Sequence, residues 1–348
     1  MHRPVTLPYI VASATIYLLD CLLRLAKSRI TFAYIQPLPE FDITRVEIPS
    51  INGGWRAGQH IRLRVLTFQM GWLAWTETHP FTIANASHSL EGMVLLCKSA
   101  GDWTRKLFDM AKVSNKEGGM IRVVVEGPYG GPGHMIYSSF SAVVLVAGGT
   151  GITYALSLVH DLIQKDLKGE SRVKSIDLVW VVPDPANLSP LLPLLSSLIQ
   201  ESVYTPLRVC VFYTRAPTGK QPPFFARTLL LNNMFPGRYQ YPPYSPQPPS
   251  RLDRKPSVRA RRDLELPLGM TLSPGRPKLS RIFEDAIADA VAQGHSGAKG
   301  DEPIAGVVVG VCGPVNMVDD VSKAVNAIDP ARRDEVGGVE ICEEVFGW

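Results

Sequence analysis

One apolar run that ends in a cluster of glycines constrains the fold of this chain more than any other feature. Residues 141–147 are apolar and rich in valine, and the run is long enough for a buried parallel strand. Gly148, Gly149 and Gly151 follow it at once. The next stretch carries apolar residues at helical spacing, namely Ala155, Leu156, Leu158, Val159 and Leu162. The sequence therefore predicts a strand, a tight turn and a helix in direct succession.

The turn has the composition of a ligand-binding loop. Glycine permits a tight turn and lets the backbone approach a ligand closely. We expect Thr153 to cap the helix, whose N-terminus would offer free N–H groups and the positive end of its dipole to a pyrophosphate. The spacing is not Gly-x-Gly-x-x-Gly, however, and such a turn often serves packing alone. Both interpretations stay open for the turn by itself.

The rest of the C-terminal half repeats this alternation of strands and helices. Further strands are predicted at residues 175–182, 207–213 and 304–311, and helices at 191–199 and 315–327. The last strand ends in Cys312-Gly313-Pro314. A doubly wound sheet follows, and such sheets bind ligands at the carboxyl ends of their strands. We expect the glycine and cysteine turns to converge on that edge.

The N-terminal half has a different sequence pattern. It contains short β-rich runs separated by glycine, asparagine and serine, which fits a small antiparallel barrel. These runs are residues 43–48, 61–66, 79–84, 93–99 and 120–126.

Several segments, in chain order, resemble the motifs of the ferredoxin-reductase-type FAD/NADPH module found in the ferric reductase and NADPH oxidase superfamily. They are Trp55-Arg56-Ala57-Gly58-Gln59-His60, His79-Pro80-Phe81-Thr82-Ile83-Ala84, Gly101-Asp102-Trp103-Thr104, Glu126-Gly127-Pro128-Tyr129-Gly130 and the glycine turn. Cys312-Gly313-Pro314 and the ending Glu343-Glu344-Val345-Phe346-Gly347-Trp348 make the chain similar to fungal ferric-chelate reductases. The resemblance runs from residue 10 to residue 348 apart from one insertion.

The resemblance implies a fold of class α/β plus all-β, with three parts. Residues 1–28 would be the remnant of a membrane-exit helix, residues 29–136 an antiparallel FAD-binding β-barrel, and residues 137–348 a doubly wound parallel-sheet NAD(P)-binding domain. Between residues 216 and 278 the composition shifts to proline, arginine, serine and glutamine. Such a segment buries too little apolar surface to order itself, so we predict a disordered insertion there. A basic tether to anionic lipid is the alternative.

The N-terminus is predominantly apolar over residues 7–19, and Asp20 and Arg24 follow. That run is shorter than the roughly 20 residues needed to cross a bilayer. By resemblance, residues 9–27 look like the last transmembrane helix of a ferric reductase and its cytosolic exit; an amphipathic surface helix is the alternative. The family's haem-binding helices would lie upstream, so we expect a truncated gene product or fragment. We also expect a membrane-associated protein, at the plasma membrane, with the reductase module facing the cytosol.

The resemblance assigns the flavin side of the site to two segments. His79, Pro80, Phe81 and Thr82 would line the isoalloxazine and ribityl chain. Backbone amides from Gly101 to Thr104 would meet the FAD diphosphate ahead of a helix. Trp103 belongs either to this site or to the core.

The nucleotide side is assigned to the two turns. Gly148, Gly149, Thr150, Gly151, Ile152 and Thr153 would hold the pyrophosphate, and Cys312, Gly313 and Pro314 would border the nicotinamide. Cys312 is expected to shape the site and not to act as a nucleophile. Hydride transfer needs stacking of the two rings more than an acid or base.

Several further residues depart from the family pattern or complete it. Where relatives carry an arginine after the second strand, this chain has Pro183, which cannot pair with a 2′-phosphate. Arg215 could supply that contact, which favours NADPH over NADH. Phe346 is expected to cover the flavin face, with Trp348 as the second candidate. Tyr154 replaces the family's usual proline or phenylalanine, and the sequence offers no account of it.

The expected function is the cytosolic module of a ferric-chelate reductase. NADPH would give a hydride to FAD, and electrons would pass through haem, in a longer full-length form, to an Fe(III) chelate. An NADPH oxidase-like module that reduces O₂ and a non-catalytic flavoprotein subunit are the alternatives. The formal charge of +4 is modest and much of the excess sits in one segment, so no nucleic-acid role is expected. The five scattered cysteines favour a reducing compartment, and no metal ligand is predicted.

Overall fold

A computed structural model describes residues 6–39, 42–114, 119–215, 266–293 and 303–345. Two six-stranded sheets organise these residues into two lobes. The predicted flavin-covering residue Phe346, its alternative Trp348 and most of the predicted insertion lie outside the described residues.

The chain begins with a long apolar helix, α1 (Thr6–Ala26), none of whose residues is buried. The expectation that the apolar run is too short to cross a bilayer is wrong for this helix, because it continues through Asp20 and Arg24. These two side chains form an i,i+4 ion pair at 2.8 Å, which partly neutralises both charges. At 1.5 Å per residue, its 21 residues extend about 30 Å. Among the described residues, α1 is the one helix with the length and mean hydropathy, 1.6, of a membrane span.

The first lobe is an antiparallel sheet in the order β4-β3-β6-β1-β2-β5. An isolated bridge between Ile83 and Leu95 brings the two edge strands together, so the sheet is close to a barrel. Helix α2 (Asp102–Ser114) packs against β1 and β2. The strands are β1 (Ser28–Leu38), β2 (Ile43–Ile48), β3 (His60–Val65), β4 (His79–Thr82), β5 (Met93–Lys98) and β6 (Met120–Tyr129).

Alternation along these strands builds the core of the first lobe. Ile61, Leu63 and Val65 on β3 are completely buried, whereas the intervening residues are only half-buried. Strand β1 follows the same rule but was not predicted, because its outward face carries exposed apolar side chains such as Ile30 and Phe32 that obscure the alternation.

The second lobe is a parallel sheet in the order β10-β9-β8-β7-β11-β12. Its strands are β7 (Ala142–Gly148), β8 (Ser175–Val182), β9 (Leu207–Tyr213), β10 (Met270–Pro274), β11 (Val307–Gly313) and β12 (Val339–Val345). Its helices are α3 (Ile152–Leu167), α4 (Leu192–Glu201), α5 (Leu279–Gln293), α6 (Val315–Asn326) and α7 (Pro330–Glu335). The predicted doubly wound sheet is confirmed.

Two predicted boundaries need correction. Strand β11 begins at Val307, three residues later than predicted. Residues 270–274, predicted as part of the disordered insertion, form β10, which pairs in parallel with β9 and buries Met270. Five residues are enough for an edge strand when the neighbouring strand supplies the backbone hydrogen bonds.

The strand order reverses beside β7, which pairs with β8 on one side and with β11 on the other. In open parallel sheets, ligands bind at such a point, outside the carboxyl ends of the strands. The glycine turn follows β7 and Cys312-Gly313-Pro314 closes β11, so both lie at this position.

Candidate active site

The glycine turn is closed on one side and open on the other. After β7, residues 149–151 make a short 3-10 turn and α3 begins at Ile152. A Cβ built on Gly151 would lie 2.3 Å from the carbonyl oxygen of Cys312, so the turn is pressed against β11. At Gly149, φ is +53° and no atom lies within 4 Å of a Cβ. The turn therefore offers its backbone to the open side, where a ligand can approach.

The predicted cap at Thr153 is wrong. Gly151 is the cap of α3 and makes no side-chain hydrogen bond, while the Thr153 hydroxyl donates to the carbonyl oxygen of Thr150 at 3.1 Å. Thr153 lies inside the first turn, two positions beyond the cap residue. The first N–H groups of α3 consequently have no side-chain cap and can serve an anion.

Trp180 supports this turn, and sequence reasoning missed it. Its buried indole Nε1 on β8 donates to the carbonyl oxygen of Gly149 at 2.9 Å. The signal in the sequence was a single tryptophan among the branched aliphatic residues of β8. A buried indole N–H needs an acceptor, and a neighbouring turn is a suitable one.

The two turns converge, as predicted. A Cβ on Gly313 would lie 2.3 Å from Cε of Met317 and 3.4 Å from Cα of Gly148. Cys312 is 1% exposed, and burial raises the pKa of its thiol, with Glu344 and Cys342 adding to the effect. A thiol held protonated is a poor nucleophile, which agrees with a shaping role.

The flavin-side segment lies on the edge strand β4. Its register pairs His79 with Leu63 and Phe81 with Ile61, so both rings face the core side of the sheet. There they meet Trp103, with ring centroids 4.4 Å from His79 and 5.9 Å from Phe81. Thr82 is buried, and Pro80 is exposed.

Trp103 is a core residue and also links the two predicted flavin-side segments. It is 5% exposed and packs in the core cluster of the first lobe. Its indole Nε1 is buried and has no acceptor among the described residues. Because its ring lies against His79, the start of α2 is held beside β4.

The backbone at the start of α2 is only partly available to a diphosphate. The Thr104 hydroxyl accepts from the N–H groups of Ala100 and Gly101, both at 3.0 Å. The N–H of Gly101 is thus already used within the loop. The first N–H groups of the helix itself, from Asp102 to Thr104, have no helical partner and are the better candidates.

The end of α1 lies at the same end of the first lobe as Thr82. Thr82 pairs with His60 across β4 and β3, and the His60 ring lies 6.1 Å from the ring of Tyr129. Lys27, directly after α1, places its Nζ 5.2 Å from the Tyr129 ring centroid. Burial and Arg62 lower the pKa of His60, so this imidazole is neutral near pH 7. Lys27, Tyr129 and His60 therefore link the end of α1 to the strand pair that carries Thr82.

The last strand, β12, brings Glu344 to the first lobe. A Cβ on Gly130 would lie 3.2 Å from Oε1 of Glu344, and the Glu344 carboxylate accepts from the backbone of Gly131. Burial raises the pKa of Glu344, and the hydrogen bond from Gly131 opposes that shift. Phe346 lies two residues beyond this contact in the sequence.

Tyr154 locks the two lobes together, which accounts for a residue that the sequence left unexplained. Its fully buried ring sits so close to Gly58 of the first lobe that a Cβ there would lie 2.6 Å from Cε2. Its hydroxyl lies 3.3 Å from the Tyr137 hydroxyl and 3.6 Å from Sγ of Cys342. One turn along α3, the Ser157 hydroxyl accepts from the Gly58 N–H at 2.8 Å. These contacts fix the angle at which the turns face β4.

Arg215 lies at the carboxyl edge of the sheet. Its N–H donates to the carbonyl oxygen of Pro183 at 2.9 Å, and the N–H of Thr214 donates to Val182 at 3.0 Å. The residue is exposed. These two hydrogen bonds hold the ends of β8 and β9 together, with the exposed residue Arg215 at this edge.

Two protein families match this chain. The family described as ferric reductase NAD binding domain matches residues 140–326, and the family described as FAD-binding domain matches residues 29–133. Human dual oxidase 2 is 30% identical over 179 residues, which cover 50% of this chain and 11% of that protein. Probable ferric reduction oxidase 1 of Arabidopsis thaliana is 31% identical over 144 residues, which cover 40% of this chain and 20% of that protein.

Solved structures are also similar to this chain. The FAD/NAD binding domain of nitric oxide dioxygenase from Vibrio cholerae has a TM-score of 0.49 at 14% identity, covering 91% of this chain and 99% of that chain. The chain spans at most a fifth of the length of the curated relatives named above. It is an FAD- and NAD(P)-binding oxidoreductase module with a ferredoxin-reductase-like fold. The family match over residues 140–326, joined to the matched FAD-binding domain before it, shows that this chain belongs to the ferric reductase NAD-binding domain family.

Proposed function

We propose that this chain is the reductase module of a ferric-chelate reductase of the fungal type, which oxidises NADPH and delivers electrons toward Fe(III). The observation that carries the proposal is the contact between the lobes. Tyr154 and Ser157 on α3 hold Gly58 of the first lobe, so the nucleotide-binding edge and β4 belong to one rigid arrangement. Hydride transfer depends on such positioning more than on any acid or base.

On the nucleotide side, the chain's own groups bind and orient. The N–H groups at the start of α3 and the open face of Gly149 suit a pyrophosphate, with Trp180 fixing the carbonyl behind them. Cys312 and Gly313, which are buried at the end of β11, would border the nicotinamide. The Arg215 guanidinium would pair with a 2′-phosphate, which favours NADPH over NADH.

On the flavin side, the donor set fits a flavin nucleotide. Thr82 supplies a hydroxyl at the ring edge, and the first turn of α2 supplies N–H groups for the diphosphate. The buried Nε1 of Trp103, which lacks a hydrogen-bond acceptor among the described residues, lies in the same region. A bound ligand could supply that acceptor. Bound FAD would accept a hydride from the nicotinamide and release electrons singly. Phe346 would cover the ring face until the nicotinamide arrives.

The position of α1 supports delivery of electrons to a membrane. Lys27 and Tyr129 connect the end of this helix to His60 and Thr82. Arg24, Lys27 and Arg29 cluster where the helix leaves the apolar region, which the positive-inside rule associates with the cytosolic side. We therefore place the module at the cytosolic face of the plasma membrane, with haem in the complete family architecture as the next carrier.

The relatives support iron as the acceptor and leave one competitor. A plant relative is named as a ferric reduction oxidase, and a human relative as a dual oxidase. The second name favours O₂ as an alternative acceptor for the same electrons.

Acceptor assays with the full chain, purified in detergent with FAD, test the proposal. We expect rapid NADPH-dependent reduction of ferricyanide and slow reduction of Fe(III)-citrate, because the chelate should require a haem relay. Chelate reduction at the ferricyanide rate would contradict the need for haem. Oxygen consumption at that rate would favour the oxidase, and no reduction of any acceptor would favour a non-catalytic flavoprotein.

A further inference from the structure

A cavity of about 330 Å³ lies between the lobes and shares no residue with the predicted cofactor sites. One wall comes from the outer face of the first-lobe sheet, including Val94 and Leu96. The other comes from α3 and α4, including Leu156, Leu194 and Leu198. Apolar clefts of this size at domain interfaces are typical sites for small organic ligands.

The polar groups of this interlobe cavity carry a net negative charge. Arg45 already pairs with Glu47 at 3.0 Å and with Glu91 at 2.9 Å. Glu201 accepts from the Ser197 hydroxyl at 2.6 Å, and no lysine or arginine in the described ranges pairs with it. The cavity thus has more carboxylates than cations around it.

His160 does not change this balance. Its Nδ1 accepts from the Ala86 N–H of the other lobe at 3.3 Å, and burial lowers its pKa, although Glu201 and Glu91 act on the imidazole in the opposite direction. The ring is therefore neutral near pH 7. Glu91 from the first lobe and Glu201 from the second both line the cavity.

We propose that the interlobe cavity binds a small organic monocation, an ammonium group on an aromatic or branched apolar body. The apolar body would pack between Leu156, Leu194 and Leu96. The ammonium would lie at Glu201, which is exposed at the mouth and lacks a cationic partner. An anion would meet Glu91 and Glu201 and be repelled, and a neutral analogue would gain only the apolar contacts.

Calorimetric titration of the full chain, in nanodiscs with FAD, tests this with three probes that share a phenylethyl body: 2-phenylethylammonium, 2-phenylethanol and 3-phenylpropanoate. We expect the cation to bind up to about fivefold more tightly than the alcohol, since an ion pair with an exposed carboxylate adds little more. The anion should bind more weakly than either. Equal affinities for all three probes, or no binding of the cation, would overturn the proposal.

Variants locate the site. Glu201→Gln should remove the preference for the cation while leaving alcohol binding unchanged. Glu284→Gln, at an exposed position on α5 that does not line the cavity, should keep the preference for the cation. Leu194→Trp should fill the cavity and abolish binding of both probes; retained binding would place the ligand elsewhere and contradict the proposal. Reduction of the flavin by NADPH should be unchanged in Glu201→Gln, which separates failure of this proposal from failure of the proposed function.

Discussion

The two ligand-facing regions of this molecule are built from different parts of the chain. On the nucleotide side, the surface is formed mainly by backbone. Gly148, Gly151 and Gly313 pack there where side chains would collide with their neighbours. On the flavin side, side chains from separate elements assemble the surface, since His79 and Phe81 on β4 meet Trp103 on α2. A backbone site should tolerate almost no added atoms, whereas a side-chain site should tolerate small changes in its loops.

The largest expected effect is that of Gly151→Ala, which tests the contrast between the two regions. A methyl group at Gly151 would lie 2.3 Å from the carbonyl oxygen of Cys312, so one of the two turns must move. Because a displacement of about 1 Å can cost about 100-fold in rate, we expect Gly151→Ala to lose about that much NADPH–ferricyanide activity while FAD stays bound. Steady-state kinetics and flavin content measure both.

The control is Gly101→Ala on the flavin side. No atom lies within 4 Å of a Cβ at Gly101. The change should cost less than about 1.5 kcal/mol of stability, from the altered helix start, and little activity. Equal losses from the two substitutions would show that the contrast between the regions is false.

Arg215→Ala should give the next largest effect. Only NADPH carries the 2′-phosphate, so we expect its affinity to fall by roughly 10-fold to 150-fold, equivalent to about 1.5 to 3 kcal/mol, and that of NADH to stay the same. Binding titrations with both nucleotides measure this. Arg281→Ala, an exposed arginine on α5, controls for charge. Equal loss of both nucleotides would make Arg215 structural.

Replacing the terminal aromatic should have a smaller effect. Stacking is worth about 0.5 to 1.5 kcal/mol beyond burial, so Phe346→Ala should raise the occupancy of the flavin face by oxidised nucleotide roughly two-fold to ten-fold. The expected readout is a stronger charge-transfer band with FAD content unchanged, and slower turnover if product release becomes limiting. Trp348→Ala is the matched control. The band change in that variant alone would assign the role to Trp348.

The smallest effect concerns the contact between the lobes at His160. Burial lowers its pKa, so the folded state disfavours the charged ring, while Glu201, Glu91 and Asp161 weaken that preference. The contribution of His160 to the free energy of unfolding is complete above the pKa of the unfolded state, about 6.5. It is lost as the pH falls from there toward the lower pKa of the folded state. Urea unfolding should therefore show a decrease in stability below about pH 6.5.

His160→Asn should remove that part of the pH dependence, since an amide oxygen can still accept from Ala86 but does not titrate. His88→Asn, at an exposed position, should keep the wild-type profile. The same profile in His160→Asn as in the wild type would show that other groups cause the pH dependence.

The features of the fold that depend on local sequence patterns could be predicted from the sequence. Strands β2, β8 and β9 have the predicted bounds, because each is a β-rich run with clear ends. The convergence of the two turns followed from the rule that parallel strands end at one edge. Strand β12 was missed because Glu340, Glu343 and Glu344 interrupt its apolar pattern.

Long-range contacts could not be predicted in the same way. Trp180 reaches Gly149 across 31 positions, and Tyr154 reaches Cys342 across 188. Nothing near Tyr154 in the sequence indicates that its ring will meet Gly58. Such contacts arise from the docking of one lobe on the other, which no local pattern encodes.

The central claim is that the two lobes together form one hydride-transfer site. Anaerobic stopped-flow mixing of the FAD-loaded full chain with NADPH tests it most directly. We expect the visible flavin absorbance to decrease after mixing as NADPH reduces the FAD. Gly151→Ala should slow this decrease by about 100-fold without releasing FAD. A flavin that stays oxidised in excess NADPH, with FAD bound and the protein folded, would contradict it.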